Sequence, residues 1–187
     1  MTVLRPEARA GHIVEVVRAR FGAAKFCGLR GGIGEDEVTI GRERLIALLS
    51  FLRDDRDLGL SQLFDLTAID RLGLGGCRFV IVYRLKSPRL GYRARLLVEL
   101  EENDLVVPSV HGLFPTADWL ERELWDLFGV YPDGHPHLRR LLLYPQFVGH
   151  PLQRDYPAQK PQPLVPLRAI MEPVVVGVHG ESREDRP

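Results

Sequence analysis

ERELWDLFGVYPDGHPHLRRLLLYPQFVGHPLQRDYP, residues 121–157, sets the plan of this chain. It opens in a charged helical pattern that ends at Gly129. It then runs through two Gly-His-Pro tripeptides, Gly134-His135-Pro136 and Gly149-His150-Pro151, each followed within a few residues by arginine. Ten of the 14 prolines lie beyond Gly129. Proline removes a backbone donor and is barred from helix interiors and central strands, so the last third predicts an extended arm rather than a packed layer. The composition change divides the chain into a body, residues 1–128, and an arm, residues 129–187.

Working back from that stretch, the body alternates helix and strand. Residues 7–21 carry Ile13, Val16, Val17 and Phe21 at helical spacing. Residues 25–29 and 37–40 read as a strand pair around the loop Arg30-Gly31-Gly32-Ile33-Gly34, and residues 42–53 as a helix with Leu45, Leu48, Leu49 and Leu52 on one stripe. Three strands follow at residues 63–69, 78–86 and 92–101, the last two joined by a hairpin loop at 87–91. In the last strand Ala94, Leu96, Val98 and Leu100 share one face, with Arg93, Arg95, Glu99 and Glu101 mostly on the other; Phe79, Ile81, Tyr83 and Leu85 repeat the pattern next door. Such alternation predicts a sheet covered on one side and wet on the other. The order αββαβββ plus a final helix predicts an α+β, two-layer sandwich.

In the final helix, Pro115-Thr116 is a start signal with the Thr116 hydroxyl available as a cap, and Gly129 supplies the stop. Leu120, Leu124, Leu127 and Phe128 form the apolar stripe, leaving Glu121, Arg122, Glu123 and Asp126 for the solvent side. Arg122 and Asp126, four apart, suggest an exposed pair contributing about 0.2–0.5 kcal/mol. Trp119 and Trp125 fall off the stripe. They either pad the sheet edge or anchor a partner, tryptophan being a preferred interface hot spot.

Bulk properties narrow the function. With 25 basic and 25 acidic residues the chain is formally neutral, which argues against a nucleic-acid binder. Cys27 and Cys77 lie far apart and form no CxxC pair, so ligands for an iron–sulfur cluster or a zinc ribbon are lacking, and both read as buried thiols. No apolar run approaches the roughly 20 residues needed to span a bilayer, and the first residues lack a signal-peptide core. A cytosolic or peripheral protein is expected. The glycine clusters at 31–34 and 73–76 lack the lysine and Ser/Thr of a phosphate loop and read as turns.

Two readings of the Gly-His-Pro units compete. His135, His137 and His150, with Asp133 or Asp155, could ligate a metal and make a small His-metal-dependent hydrolase, but the prolines forbid the helical i, i+4 spacing such sites favour. Alternatively, a residue before proline is driven extended and the glycine before it turns at positive φ, so each tripeptide is a stiff bend holding one imidazole outward. Between Gly134 and Ile170 the cations Arg139, Arg140, Arg154, Lys160 and Arg168 face the single acid Asp155. Two pre-shaped corners with arginine arms suit docking on an acidic partner groove, unless the run is simply a solvated one.

The motifs resemble one family. Glu121-Arg122-Glu123, Asp126, Phe128-Gly129, Gly134-His135-Pro136, Leu138-Arg139-Arg140, Gly149-His150-Pro151-Leu152 and Asp155-Tyr156-Pro157 follow the pattern of the 30-kDa-type peripheral-arm subunit of respiratory complex I, the proton-pumping NADH:quinone oxidoreductase. Phe64-Asp65-Leu66-Thr67-Ala68-Ile69-Asp70 and Arg78-Phe79 with Val82-Tyr83 fit its central strands. Pro132, Gln153 and Arg154 depart from it, standing where an aromatic, an arginine and a lysine are usual. The resemblance implies a structural subunit with no catalytic residue and no cofactor of its own, the iron–sulfur clusters, FMN and quinone being held by partners. It implies packing beside the 49-kDa-type quinone-site subunit and the iron–sulfur subunits, on the cytoplasmic side of the cell membrane. A related hydrogenase-type or acceptor-variant complex is the alternative. The residues expected to dock are Trp125, Gly134, His135, Pro136, Arg139, Arg140, Gly149, His150, Pro151, Arg154 and Asp155.

Overall fold

The computed structural model describes residues 11–22, 31–32 and 35–165. Their elements run in the order α1 (His12–Phe21), β1 (Gly31–Gly32), β2 (Glu35–Thr39), a 3-10 turn (Arg42–Arg44) leading into α2 (Leu45–Asp54), β3 (Gln62–Asp70), β4 (Phe79–Lys86), β5 (Arg93–Leu100), β6 (Val106–Pro108), α3 (Ala117–Phe128) and β7 (Tyr131–Asp133). The expected strand at 25–29 lies outside the described residues. Gly31–Gly32, expected in a loop, instead pairs antiparallel with β2.

The mixed α+β character follows from burial. Leu45, Leu48, Leu49 and Leu52 of α2 are wholly buried, as are Phe79, Ile81, Tyr83 and Leu85 of β4 and Ala94, Leu96 and Val98 of β5. Ile13 and Val17 of α1 and Leu124 of α3 join the same core. Each such aliphatic side chain contributes about 1.5–3 kcal/mol relative to exposure. The sheet order is β1-β2-β5-β4-β3, with β2 and β5 parallel and the other neighbours antiparallel. The buried Asp36 in β2 accepts from the amides of Gly11 (2.7 Å) and Ile13 (3.0 Å), so a strand residue caps the start of α1.

The far face of the sheet is less wet than the alternation predicts. Val80, Val82 and Leu97 form a small buried cluster there. Around them, Arg84 and Arg95 stand opposite each other on β4 and β5, and Glu35 reaches both, at 3.2 and 3.0 Å. Its carboxylate offsets a like-charge pair that would otherwise destabilise the sheet. Cys77 is half-buried rather than buried, its thiol donating to the Glu101 carboxylate at 3.2 Å. Cys27 lies outside the described residues.

The described residues just after Gly129 stay on the body. β7 pairs in parallel with β6 to make a second, two-stranded sheet, and Val130 between it and α3 is wholly buried.

Candidate functional site: helix α3 and the segment wound over it

Helix α3 differs from its sequence reading in how it is capped and in which side is covered. Its start has no side-chain cap; the Thr116 hydroxyl donates to the Leu63 carbonyl (3.0 Å) and ties the helix to the edge strand β3. Gly129 ends it in the left-handed conformation (φ 82°), as predicted. Of the flank expected to face solvent only Glu123 is exposed; Glu121 is 1% exposed, Arg122 8% and Asp126 0%. Leu120, Leu127 and Phe128 are only half-buried. The segment from 134 to 156 lies over this polar flank and supplies its partners.

Asp126 is the centre of the arrangement. One carboxylate oxygen accepts three successive amides, Leu141, Leu142 and Leu143, at 3.0, 2.8 and 2.9 Å. The other accepts Arg140 at 2.7 Å, and that guanidinium also donates to the carbonyls of Phe147 (2.8 Å) and Gly149 (3.2 Å). Arg140 further lies against the Trp125 and Phe147 rings, 5.6 Å from each centroid. Burial pushes the Asp126 carboxyl up, but the Leu143 amide, the Arg140 guanidinium and the other amides outweigh it and hold it below the ordinary carboxylate range. The expected Arg122–Asp126 pair does not form. Arg122 donates instead to the carbonyls of Arg139 (3.3 Å) and Arg140 (3.4 Å).

The two corners turn inward, which overturns the expectation of outward imidazoles. At the first, Gly134 has φ 82° and the His135 side chain is 0% exposed. His135 Nδ1 accepts the His137 amide (3.1 Å), which places the proton on Nε2, 3.2 Å from the Asp118 carbonyl and 3.3 Å from its carboxylate. Beneath it, Glu121 accepts from Ser109 Oγ and the Val110 amide, both at 2.6 Å. Burial raises the Glu121 pKa despite those donors.

The second corner completes the end of the helix. The last four carbonyls of an α-helix lack partners within it. Here Gly129 N–H takes that of Trp125 (2.9 Å), and His150 Nδ1 lies 3.0 Å from that of Asp126. The Leu152 amide takes that of Leu127 (3.0 Å) and Gln153 Nε2 that of Phe128 (2.7 Å). His150 also sits edge-on to Trp125, at 6.4 Å between centroids. Gln153, a departure from the family pattern, thus has a structural use.

Beyond this corner the segment is fastened to the sheet. Arg78, 8% exposed, bonds Asp70 of β3 (3.1 Å), Asp155 (2.5 Å) and Glu102. Arg154 donates its amide to Asp70 (2.9 Å) and its guanidinium to the Leu72 carbonyl (3.3 Å). The Arg78 guanidinium holds the Asp155 carboxyl below its usual range.

Of the expected docking residues, His135, Arg140, His150 and Asp155 therefore bond to the chain's own body, Trp125 is half-buried among them, and Gly134 and Gly149 make the bends. Pro151 is half-buried, while Pro136, Arg139 and Arg154 are exposed. Asp126, Asp70 and Arg78, which organise the whole, were not expected to do so. His135 and His150 meet opposite ends of α3, Asp118 and Asp126, about 12 Å of helix rise apart. The three histidines do not converge, and among the described residues no group of three potential ligands surrounds a common point.

Comparison with known proteins agrees with the motif reading. Residues 38–162 match the family described as "Respiratory-chain NADH dehydrogenase, 30 Kd subunit". The chain is 38% identical over 154 residues to the NADH-quinone oxidoreductase C subunit of Trichlorobacter lovleyi, covering 82% of this chain and 93% of that protein. It is 48% identical over 124 residues to the C 1 subunit of the same enzyme from Rhizobium etli, covering 66% of this chain and 61% of that one. With the C/D subunit of Chromohalobacter salexigens it shares 39% over 189 residues, 96% of this chain but only 30% of the longer protein. Among solved structures it resembles the trypsin-resistant fragment of Nqo5 (TM-score 0.58, 31% identity, 67% of this chain and 96% of the fragment). It shares its fold with a chain of an archaeal membrane-bound sulfane sulfur reductase (TM-score 0.63, 20% identity, 79% of this chain and 85% of that one). The chain belongs to the family of the 30-kDa subunit of the respiratory-chain NADH dehydrogenase, complex I.

Proposed function

We propose that this chain is a structural subunit of the peripheral arm of a proton-pumping NADH:quinone oxidoreductase, docked on the 49-kDa-type subunit at the quinone site and on neighbouring iron–sulfur subunits. It carries no cofactor or catalytic residue; the clusters, FMN and quinone belong to its partners. The body, residues 1–128, supplies most of the fold, and the arm, residues 129–187, together with the last helix of the body presents the contact surface on the cytoplasmic side of the membrane. In the described residues no helix is long and apolar enough to cross a bilayer, in keeping with peripheral attachment.

The observation that carries this reading is the exposure along α3 and the segment over it. Trp119, Leu142, Val148 and Leu152 stand 62%, 62%, 51% and 49% exposed, while Glu121, Arg122 and Asp126 beside them are buried. Exposed apolar groups on a segment hydrogen-bonded to its own helix suit protein contact. Relatives that carry the double name C/D favour the D partner, since one polypeptide there takes both names.

The test is purification of the full-length tagged chain from its own cells. The 49-kDa-type and iron–sulfur subunits should accompany it at fixed stoichiometry. Recovery of the chain alone, beside an intact, active complex that lacks it, would refute the proposal.

A further inference from the structure

Arg122 is an anomaly. It is 8% exposed, yet among the described residues its guanidinium is met only by the carbonyls of Arg139 and Arg140 and by the Trp119 ring, 5.5 Å from its centroid. Among the described residues no carboxylate lies within salt-bridge distance of it, and a buried charge is costly unless paired. It lines a groove of about 530 Å³ with Asp118, His137, Leu138 and Arg139. The exposed Arg139 also lacks a carboxylate among the described residues. The one acid in the groove, Asp118, faces His135 at 3.3 Å. At the rim Trp119 is 62% exposed.

We propose that this groove receives an acidic segment of a neighbouring subunit. A carboxylate of that segment pairs with Arg122 and Arg139, and an adjacent apolar side chain packs on Trp119. Guanidinium forks suit such bidentate pairing, and a tryptophan beside a nearly desolvated arginine has the makings of an interface hot spot. The inference rests on the docking reading above and adds the face that docks and the chemistry it meets. Arg154, exposed at the second corner, makes a natural control because it does not line the groove and its guanidinium donates to the Leu72 carbonyl of its own chain.

Full-length Trp119→Ala, Arg139→Glu and Arg154→Glu chains, expressed in place of the native one, provide the test. All three positions are exposed, and a thermal melt of each purified chain establishes that it folds. Trp119→Ala and Arg139→Glu should each weaken retention in the salt-washed complex roughly tenfold, and Arg154→Glu should change it little. In the assembled Arg139→Lys complex, a carbodiimide should join the lysine amine to an Asp or Glu of another subunit, forming an amide as the reagent takes up the elements of water. Wild-type retention of the first two variants, or an Arg139→Lys complex that links to no other subunit, would overturn the groove while leaving docking intact. A wild-type chain that enters no complex would remove both.

Discussion

Asp126 shows how much one side chain can organise. It is wholly buried on α3 and takes four donors from residues 140–143, so the segment's path is set by where this carboxylate needs hydrogen. Arg140→Ala removes the one cation bonded to this carboxylate and leaves its three amide donors, so it should lower the unfolding free energy by about 1.5–3 kcal/mol in a urea titration. Because the Asp126 carboxyl titrates below its ordinary value when folded, the unfolded chain binds more protons in acid. The stability it contributes is complete above about pH 4 and is lost as pH falls through the folded value. The difference in stability between the wild type and Asp126→Asn should therefore be largest at neutral pH and shrink in acid. Glu121 has the opposite sign: burial raises its pKa, so its share falls as pH rises through the folded value.

At the scale of elements, the two Gly-His-Pro corners work as fittings for the two ends of one helix. Proline and glycine made the bends legible in sequence, but the direction each imidazole takes depends on α3 lying beneath. Gly129 has φ 82°, and a Cβ there would lie 2.8 Å from the His150 ring; Gly149 has φ 101°, and a Cβ there would lie 2.6 Å from the Tyr156 ring. Gly129→Ala and Gly149→Ala should each lose more than the roughly 1–2 kcal/mol of left-handed strain alone. Gly73→Ala, also at positive φ but with open space around it, should lose no more than that strain. Thermal melts of the three variants make the comparison. The helix itself was legible from its stripe and its glycine stop. Its covered polar flank was not, because periodicity reports which side is apolar and cannot report what a distant segment brings to the other side.

For the molecule as a whole, Arg78 joins the end of β3, the turn after β5 and the segment at Asp155. Its pair with Asp70 is nearly dry, at 8% and 2% side-chain exposure, whereas Asp155 is half exposed. Arg78→Ala should therefore cost about 3–5 kcal/mol and free the segment for proteolysis near residues 150–157, while Asp155→Ala should cost no more than about 1 kcal/mol. Limited trypsin digestion followed by mass spectrometry reads both. A chain cut back to Gly129 would leave Asp126 without its donors and would lose the buried Val130 from the core. It should melt well below the full chain instead of persisting as an intact block.

By itself the sequence determined the body's helical stripes, the core-facing side of its sheet, the end of α3, the bends and the family. All of these depend on local spacing, backbone restriction or a contiguous motif. Leu45, Leu48, Leu49 and Leu52 declare a buried stripe wherever the helix packs, and a glycine at a left-handed stop needs no neighbour to be recognised. Only the tertiary structure decided that β2 runs parallel to β5, that Asp126 belongs to Arg140 rather than Arg122, and that Arg78 gathers carboxylates from three parts of the chain. The physical reason is range. Hydrogen bonds and ion pairs act over a few ångströms in space, and the partners here stand between 8 and 77 residues apart along the chain.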